Sequence, residues 1–94
     1  MKRRPPGDIL RSEFLEPMAL SAYRLAKEIN VPLNRVVGIL AGRRAITADT
    51  ALRLGRYFGT DAQSWINLQA QYELAITRQA RGRRIDREVK PHTA

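Results

Sequence analysis

Apolar residues recur at helical spacing in five segments of the chain, each bounded by local start and stop signals. In the first, Ile9, Leu10 and Phe14 share one side of a helix predicted over 6–15. Pro6 is tolerated at its first position, Asp8 is favourable near its N-terminus, and Pro17 stops it. The second helix, over 21–30, carries Leu25, Ala26 and Ile29, and Ser21 stands where a hydroxyl can cap it. Asn30 and Pro32 break the chain before a third helix over 32–41, whose stripe is Val36, Ile39 and Leu40. Gly42 follows, where a left-handed residue ends a helix. A fourth helix starts after Thr47, a second capping hydroxyl, has Asp49 in its first turn and stops at Gly59. Its inward set is Ala51, Leu52, Leu54, Gly55 and Phe58, and Gly55, costly inside a helix, predicts close packing against a neighbour.

Thr60, Asp61, Ala62 and Gln63 fit a capping box that opens a fifth helix, running to residue 77 or 79 and about 28 Å long. This helix has two apolar faces. Trp65, Leu68, Tyr72, Ala75 and Ile76 form one, and Ile66, Ala70 and Leu74 form the other. One face can close the core, so the second needs another partner, and self-contact through Ile66, Ala70 and Leu74 is the simplest. The alternative is that the first helix and the tail cover both faces within one chain. Beyond Thr77 the sequence RQARGRRIDREVKPHTA has little periodicity. The pattern as a whole predicts an all-α protein. A basic arm over 1–7 precedes a helical domain over 8–77, and a basic, flexible tail follows over 78–94, the alternative there being that the fifth helix continues for a turn.

The stretch SAYRLAKEINVPLNRVVGILAGRR, two short helices joined by a tight turn, has the form of a helix-turn-helix. In such a motif the second helix docks in the DNA major groove, so double-stranded DNA is the expected partner. The charge distribution points the same way. The chain has a net charge of +8, of which residues 21–56 carry +5, while 8–20 and 57–77 each carry −2. Inside the fold, basic charge therefore coincides with the helix-turn-helix and the helix after it, as phosphate attraction requires. The alternative for this charge is solvated helix faces that happen to carry arginine. Lys2, Arg3 and Arg4 give the arm +3, and the tail carries +4. The arm can enter a minor groove or cross a backbone, although such residues more often form a solvated terminus, and for the tail phosphate contact and a disordered end are equal alternatives.

Other chemistries find little footing. With 94 residues and 44% hydrophobic content the chain makes one small globular domain. The absence of cysteine excludes disulfides and thiolate metal sites. No apolar run reaches the length of a membrane span, and MKRRPPGD lacks the apolar segment of a secretion signal, so a cytoplasmic location is expected. His92, the single histidine, has no partner to orient it as a base, and Asp8, Glu13 and Glu16 are too scattered for a metal cluster. Neither catalysis, nor a cofactor, nor a metal is expected. Tyr23 and Tyr57 are too few aromatics to form a stacking platform for single-stranded RNA.

The residues from PPGDILRSEFLEPMALSAYRLAKEINVP through GRRAITADTALRLGRYFGTDAQSWINLQAQYEL resemble HigA-type antitoxins of the lambda-repressor-like (Xre) helix-turn-helix superfamily. The run ITADTALRLGRYFGT followed by WINLQ carries most of that resemblance. It implies a five-helix domain with a protruding C-terminal helix, usually dimeric. It also implies an antitoxin that represses its own operator and neutralises a RelE-like toxin, a ribonuclease that cuts messenger RNA. The alternative function is a freestanding repressor of the same superfamily without a toxin. A ribonuclease identity for this chain itself fails, because alternating strand segments and a general acid or base are missing.

Carried over from the superfamily, the base-reading positions are Leu33, Asn34, Val37 and Gly38. The Asn34 amide can pair with adenine N6 and N7, or serve simply as a polar turn residue. Leu33 can meet a thymine methyl or fill a packing gap. Polar readers are common where this chain has Leu33 and Gly38, so direct readout is sparse. Arg35 is then expected near the bases, and Arg43 and Arg44 on phosphate. The amides beside Ser21 are expected to meet a phosphate, with Arg24 and Thr47 as secondary contacts.

Overall fold

Local signals at the chain's helix ends decide where the architecture turns. The computed structural model describes residues 4–93, and among them the secondary structure is entirely helical. Helix α1 (Pro6–Leu10) runs without a break into a π-helical turn (Arg11–Leu15). It is followed by α2 (Ala22–Ile29), α3 (Leu33–Leu40), α4 (Ala48–Phe58) and α5 (Ala62–Glu88). Ser21 Oγ accepts from the Arg24 amide at 3.0 Å, so the expected cap of α2 forms. Thr47 caps α4 by accepting from the Thr50 amide at 3.4 Å. Asn30, Gly42 and Gly59 all adopt left-handed backbone where α2, α3 and α4 end.

The core is built from one stripe of each helix. Leu10 and Leu15, Leu25, Ala26 and Ile29, Val36, Ile39 and Leu40, Ala51 and Leu54, and Trp65 are all buried, as is Ile46 in the loop. Phe14 packs beside this set, with its ring centroid 4.7 Å from Phe58 and 5.2 Å from Trp65. Burial at this scale is the main favourable term for so small a domain. At Gly7 the backbone of α1 lies directly on the Ile39 carbonyl of α3, and any Cβ there would collide with it. Gly55 meets the expectation of close packing, with the Thr60 carbonyl 2.8 Å from where a Cβ would stand.

Three local expectations are corrected. The first helix spans the expected residues, but its second half is π-helical, with the Glu16 amide donating to the Arg11 carbonyl at 2.9 Å. That wider turn lets Leu10 and Leu15, five residues apart, both reach the core. Leu52, expected inward, is 66% exposed, because it follows Ala51 by one residue and so points away from the Ala51–Leu54 face. Asp61, not Thr60, caps α5, accepting from the Gln63 amide at 3.2 Å. Thr60 Oγ1 instead accepts from the Trp65 indole at 2.9 Å, pinning that buried ring.

The largest difference lies in the tail. In place of a flexible segment from residue 78, α5 continues to Glu88. Arginine, glutamine and alanine are good helix formers, and Arg84 pairs with Glu88 one turn later at 2.9 Å. Pro91 then disfavours helix at the residue before it, which sets the end. Only the first part of α5 packs on the core. The remainder projects and gives the molecule its 52 × 25 × 21 Å extents.

Candidate nucleic-acid interface

Helix α3 turns Val36, Ile39 and Leu40 inward, which leaves the opposite edge of the same helix facing solvent. On that edge Leu33 is 43% and Val37 40% exposed, and Asn34 is exposed between them. Two large apolar side chains beside an amide form a surface suited to thymine methyl groups and to the donor and acceptor pair of adenine. Three of the four expected reading positions therefore share one exposed edge. Gly38 does not. It is buried beneath the aliphatic stem of Arg44, whose Cγ stands 2.8 Å from the site of a Cβ at residue 38. Gly38 is thus a seat for Arg44 rather than an exposed base reader.

The loop after α3 folds back on its own helix. The amides of Arg43 and Arg44 donate to the Gly38 carbonyl at 2.8 and 3.1 Å. Both side chains are exposed, and among the described residues neither takes part in an ion pair. They border a cleft that also involves Pro5, Tyr72, Glu73 and Ile76, so the projecting helix leaves the body beside this loop. Two exposed guanidinium groups with no ion pair among the described residues thus stand just past the end of α3, where such groups can take an anion.

Three arginines on the helices are in another situation. Arg24 Nε lies 2.8 Å from Glu28 Oε1. Arg35, expected closer to the bases than Arg43 and Arg44, turns toward α4, with Nη1 2.9 Å from Asp49 Oδ2. Arg53 Nε donates to the same oxygen at 2.8 Å, and its Nη1 donates to the Ile29 carbonyl at 2.9 Å. Arg53 thereby satisfies the C-terminal carbonyls of α2. The Asp49 carboxyl is held below its ordinary range, first by the Arg53 hydrogen bond, with Arg35 adding to it. Asp49 and Arg53 do not stand out as site residues in the sequence. Their i, i+4 spacing on one helix is legible there, but the link to Arg35, fourteen positions away, is not.

Ser21 and Thr47 are exposed at the N-termini of α2 and α4, with their hydroxyls engaged as caps. Arg4 reaches back to the Asp8 carbonyl and to Ser12 Oγ, so this part of the basic arm lies on the first helix. Lys2 and Arg3 fall outside the described residues. Of the expected self-contact positions, Ile66 is half-buried against the core, while Ala70 is exposed and Leu74 is 59% exposed. No helix of the described residues is long and apolar enough to cross a membrane.

No family model matches the chain. Virulence-associated protein I of Dichelobacter nodosus is 57% identical over 74 residues, covering 79% of this chain and 68% of that protein. Antitoxin HigA-1 of Vibrio cholerae is 37% identical over 79 residues, 82% of this chain and 74% of that protein. Among solved structures, antitoxin HigA of Pseudomonas aeruginosa with the higBA promoter superposes with a TM-score of 0.94 at 43% identity. That likeness covers 98% of this chain and 100% of the other.

Proposed function

The chain belongs to the HigA antitoxin family of helix-turn-helix regulators, and from that premise we propose that it is the antitoxin of a type II toxin–antitoxin pair. In this reading it binds operator DNA in its own promoter as a dimer, represses transcription there, and neutralises a RelE-like ribonuclease toxin that cleaves messenger RNA. The observation that carries the DNA-binding half is the exposed edge of Leu33, Asn34 and Val37, followed directly by the unpaired Arg43 and Arg44. Its likeness to an antitoxin solved with promoter DNA supports the same conclusion.

Bases are read by the exposed edge of α3, and phosphates are held by the loop arginines and the amides at the start of α2. Dimerisation supplies the second half-site, roughly 34 Å away, through Ala70 and Leu74 with the outer side of Ile66. Exposed apolar residues on a projecting helix favour such a contact, because burying them removes apolar area from water.

The test uses the full chain with a duplex covering the DNA immediately upstream of its coding sequence, beside a shuffled duplex of the same composition. Preferred binding to the upstream duplex, by a species of twice the chain mass, is expected. Co-expression with the product of an adjacent reading frame for a small basic RelE-like protein should yield a stable complex that no longer cleaves messenger RNA. If no such neighbour exists and no complex forms, the toxin half is lost and the protein is a freestanding repressor. Equal binding to both duplexes overturns the operator reading.

A further inference from the structure

Asp49 sits where three elements meet. One of its oxygens, Oδ2, accepts from Arg35 of the recognition helix α3 at 2.9 Å and from Arg53 of its own helix α4 at 2.8 Å. Arg53 in turn reaches the carbonyls of Ile29 and Asn30 at the end of α2, at 2.9 and 3.3 Å. The chain of contacts thus runs from the recognition helix, through one carboxylate, to the turn that precedes that helix. Asp49 is solvent-facing, with its side chain 56% exposed, so neither packing nor burial explains its presence.

Its effect on Arg35 follows from electrostatics. Arg35 lies next in sequence to Asn34 on α3 and retains 32% side-chain exposure, so its long side chain, released from Asp49, is accessible to a phosphate. A guanidinium already paired with a carboxylate adds little to phosphate attraction, since gaining phosphate means giving up that pair. Non-specific affinity for DNA is almost wholly such attraction, whereas base recognition depends on fit.

We propose that Asp49 is a specificity-determining positioning residue: by holding Arg35 in an internal pair, it keeps the recognition helix from gripping phosphate irrespective of sequence. Binding energy then depends more on the match between bases and the Leu33, Asn34 and Val37 edge. This inference rests on the DNA-binding reading above. Asp49 need not touch DNA; it acts through Arg35.

The experiment compares wild type, D49N, D49E, D61N and the double variant R35Q/D49N on the upstream and shuffled duplexes over a range of salt. D49N keeps the shape of the side chain and removes its charge. Binding of D49N to the shuffled duplex should tighten severalfold, and its salt slope should steepen by about 0.9, one additional phosphate contact. Preference for the upstream duplex should fall correspondingly. D49E should restore wild-type behaviour, and R35Q/D49N should return the slope to the wild-type value. D61N adds the same unit of charge away from Arg35 and should move the slope far less. A D61N effect equal to that of D49N would reduce the result to net charge and overturn the proposal. An unchanged D49N slope together with a lowered melting temperature would overturn it too, leaving Asp49 as scaffold only. Were wild type to bind both duplexes equally, the operator reading would fall as well; wild-type preference with an unaltered D49N slope removes only the role of Asp49.

Discussion

Arg43 and Arg44, in the loop after α3, differ from Arg24, Arg35 and Arg53, on the helices around it. Each of these three helix-borne arginines has a carboxylate within 2.9 Å, unlike Lys27 and Arg56 on the same helices, while neither loop arginine is in an ion pair among the described residues. All five belong to the basic segment that the sequence marks for DNA. Charge counting treats them as equals, yet an internally neutralised guanidinium and an unpaired one contribute differently to counterion release. The comparison teaches that a basic face is resolved into contacts by where its acids lie. Here Glu28 and Asp49 occupy Arg24, Arg35 and Arg53, while the loop pair has no such partner among the described residues.

Both groups depend on one frame, and the largest expected effect comes from breaking it. Leu25 is fully buried at the centre of the core. Leu25→Ala should cost about 2–5 kcal/mol of stability and abolish DNA binding together with folding. Thermal unfolding followed by circular dichroism measures it; a variant that keeps wild-type stability would mean that the helix-turn-helix is not held by this core. Next in size, Asn34→Ala should lose roughly 1–3 kcal/mol at a single base pair of the upstream duplex and nothing on shuffled DNA. Binding to a set of single-base-pair variants of the duplex checks this, and a uniform loss would reassign Asn34 from reading to support.

Much of this arrangement was legible in the sequence because its signals are local. Ser21, Thr47, Gly42 and Gly59 each act within one turn of where they stand, and the helix ends they mark are those observed. The π turn was not legible, since the choice between four- and five-residue spacing is made by where Leu15 finds the core. The helical tail was hidden by its charge: a run of arginines resembles a solvated end, although arginine favours helix. Gly38 aligned with a reading position, yet only the folded loop brings the Arg44 stem over it. Likewise the Arg35–Asp49 pair and the bond from the Ile46 amide to Gln69 Oε1, 2.8 Å long, join positions that nothing local relates.

A smaller effect sharpens the contrast through pH. The Asp49 carboxyl is lowered in the folded protein, so its pairing favours folding at pH values above the ordinary carboxylate range. That contribution disappears as the pH falls through the lowered value and the group protonates. Wild type should therefore be more stable than D49N at neutral pH, and the two should converge below about pH 4. Melting temperatures taken from pH 7 downward test it, and a gap that persists unchanged in acid would trace the difference to something other than the charge on Asp49.

The most direct measurement is the salt dependence of binding to the upstream duplex for R43A/R44A beside R24A. If the unpaired loop arginines hold phosphate, the double variant should flatten the slope by about 1.8, or about 0.9 for each phosphate no longer neutralised, while R24A leaves it nearly unchanged. A slope that R24A flattens as much per residue as the loop pair does would contradict the distinction between paired and unpaired cations.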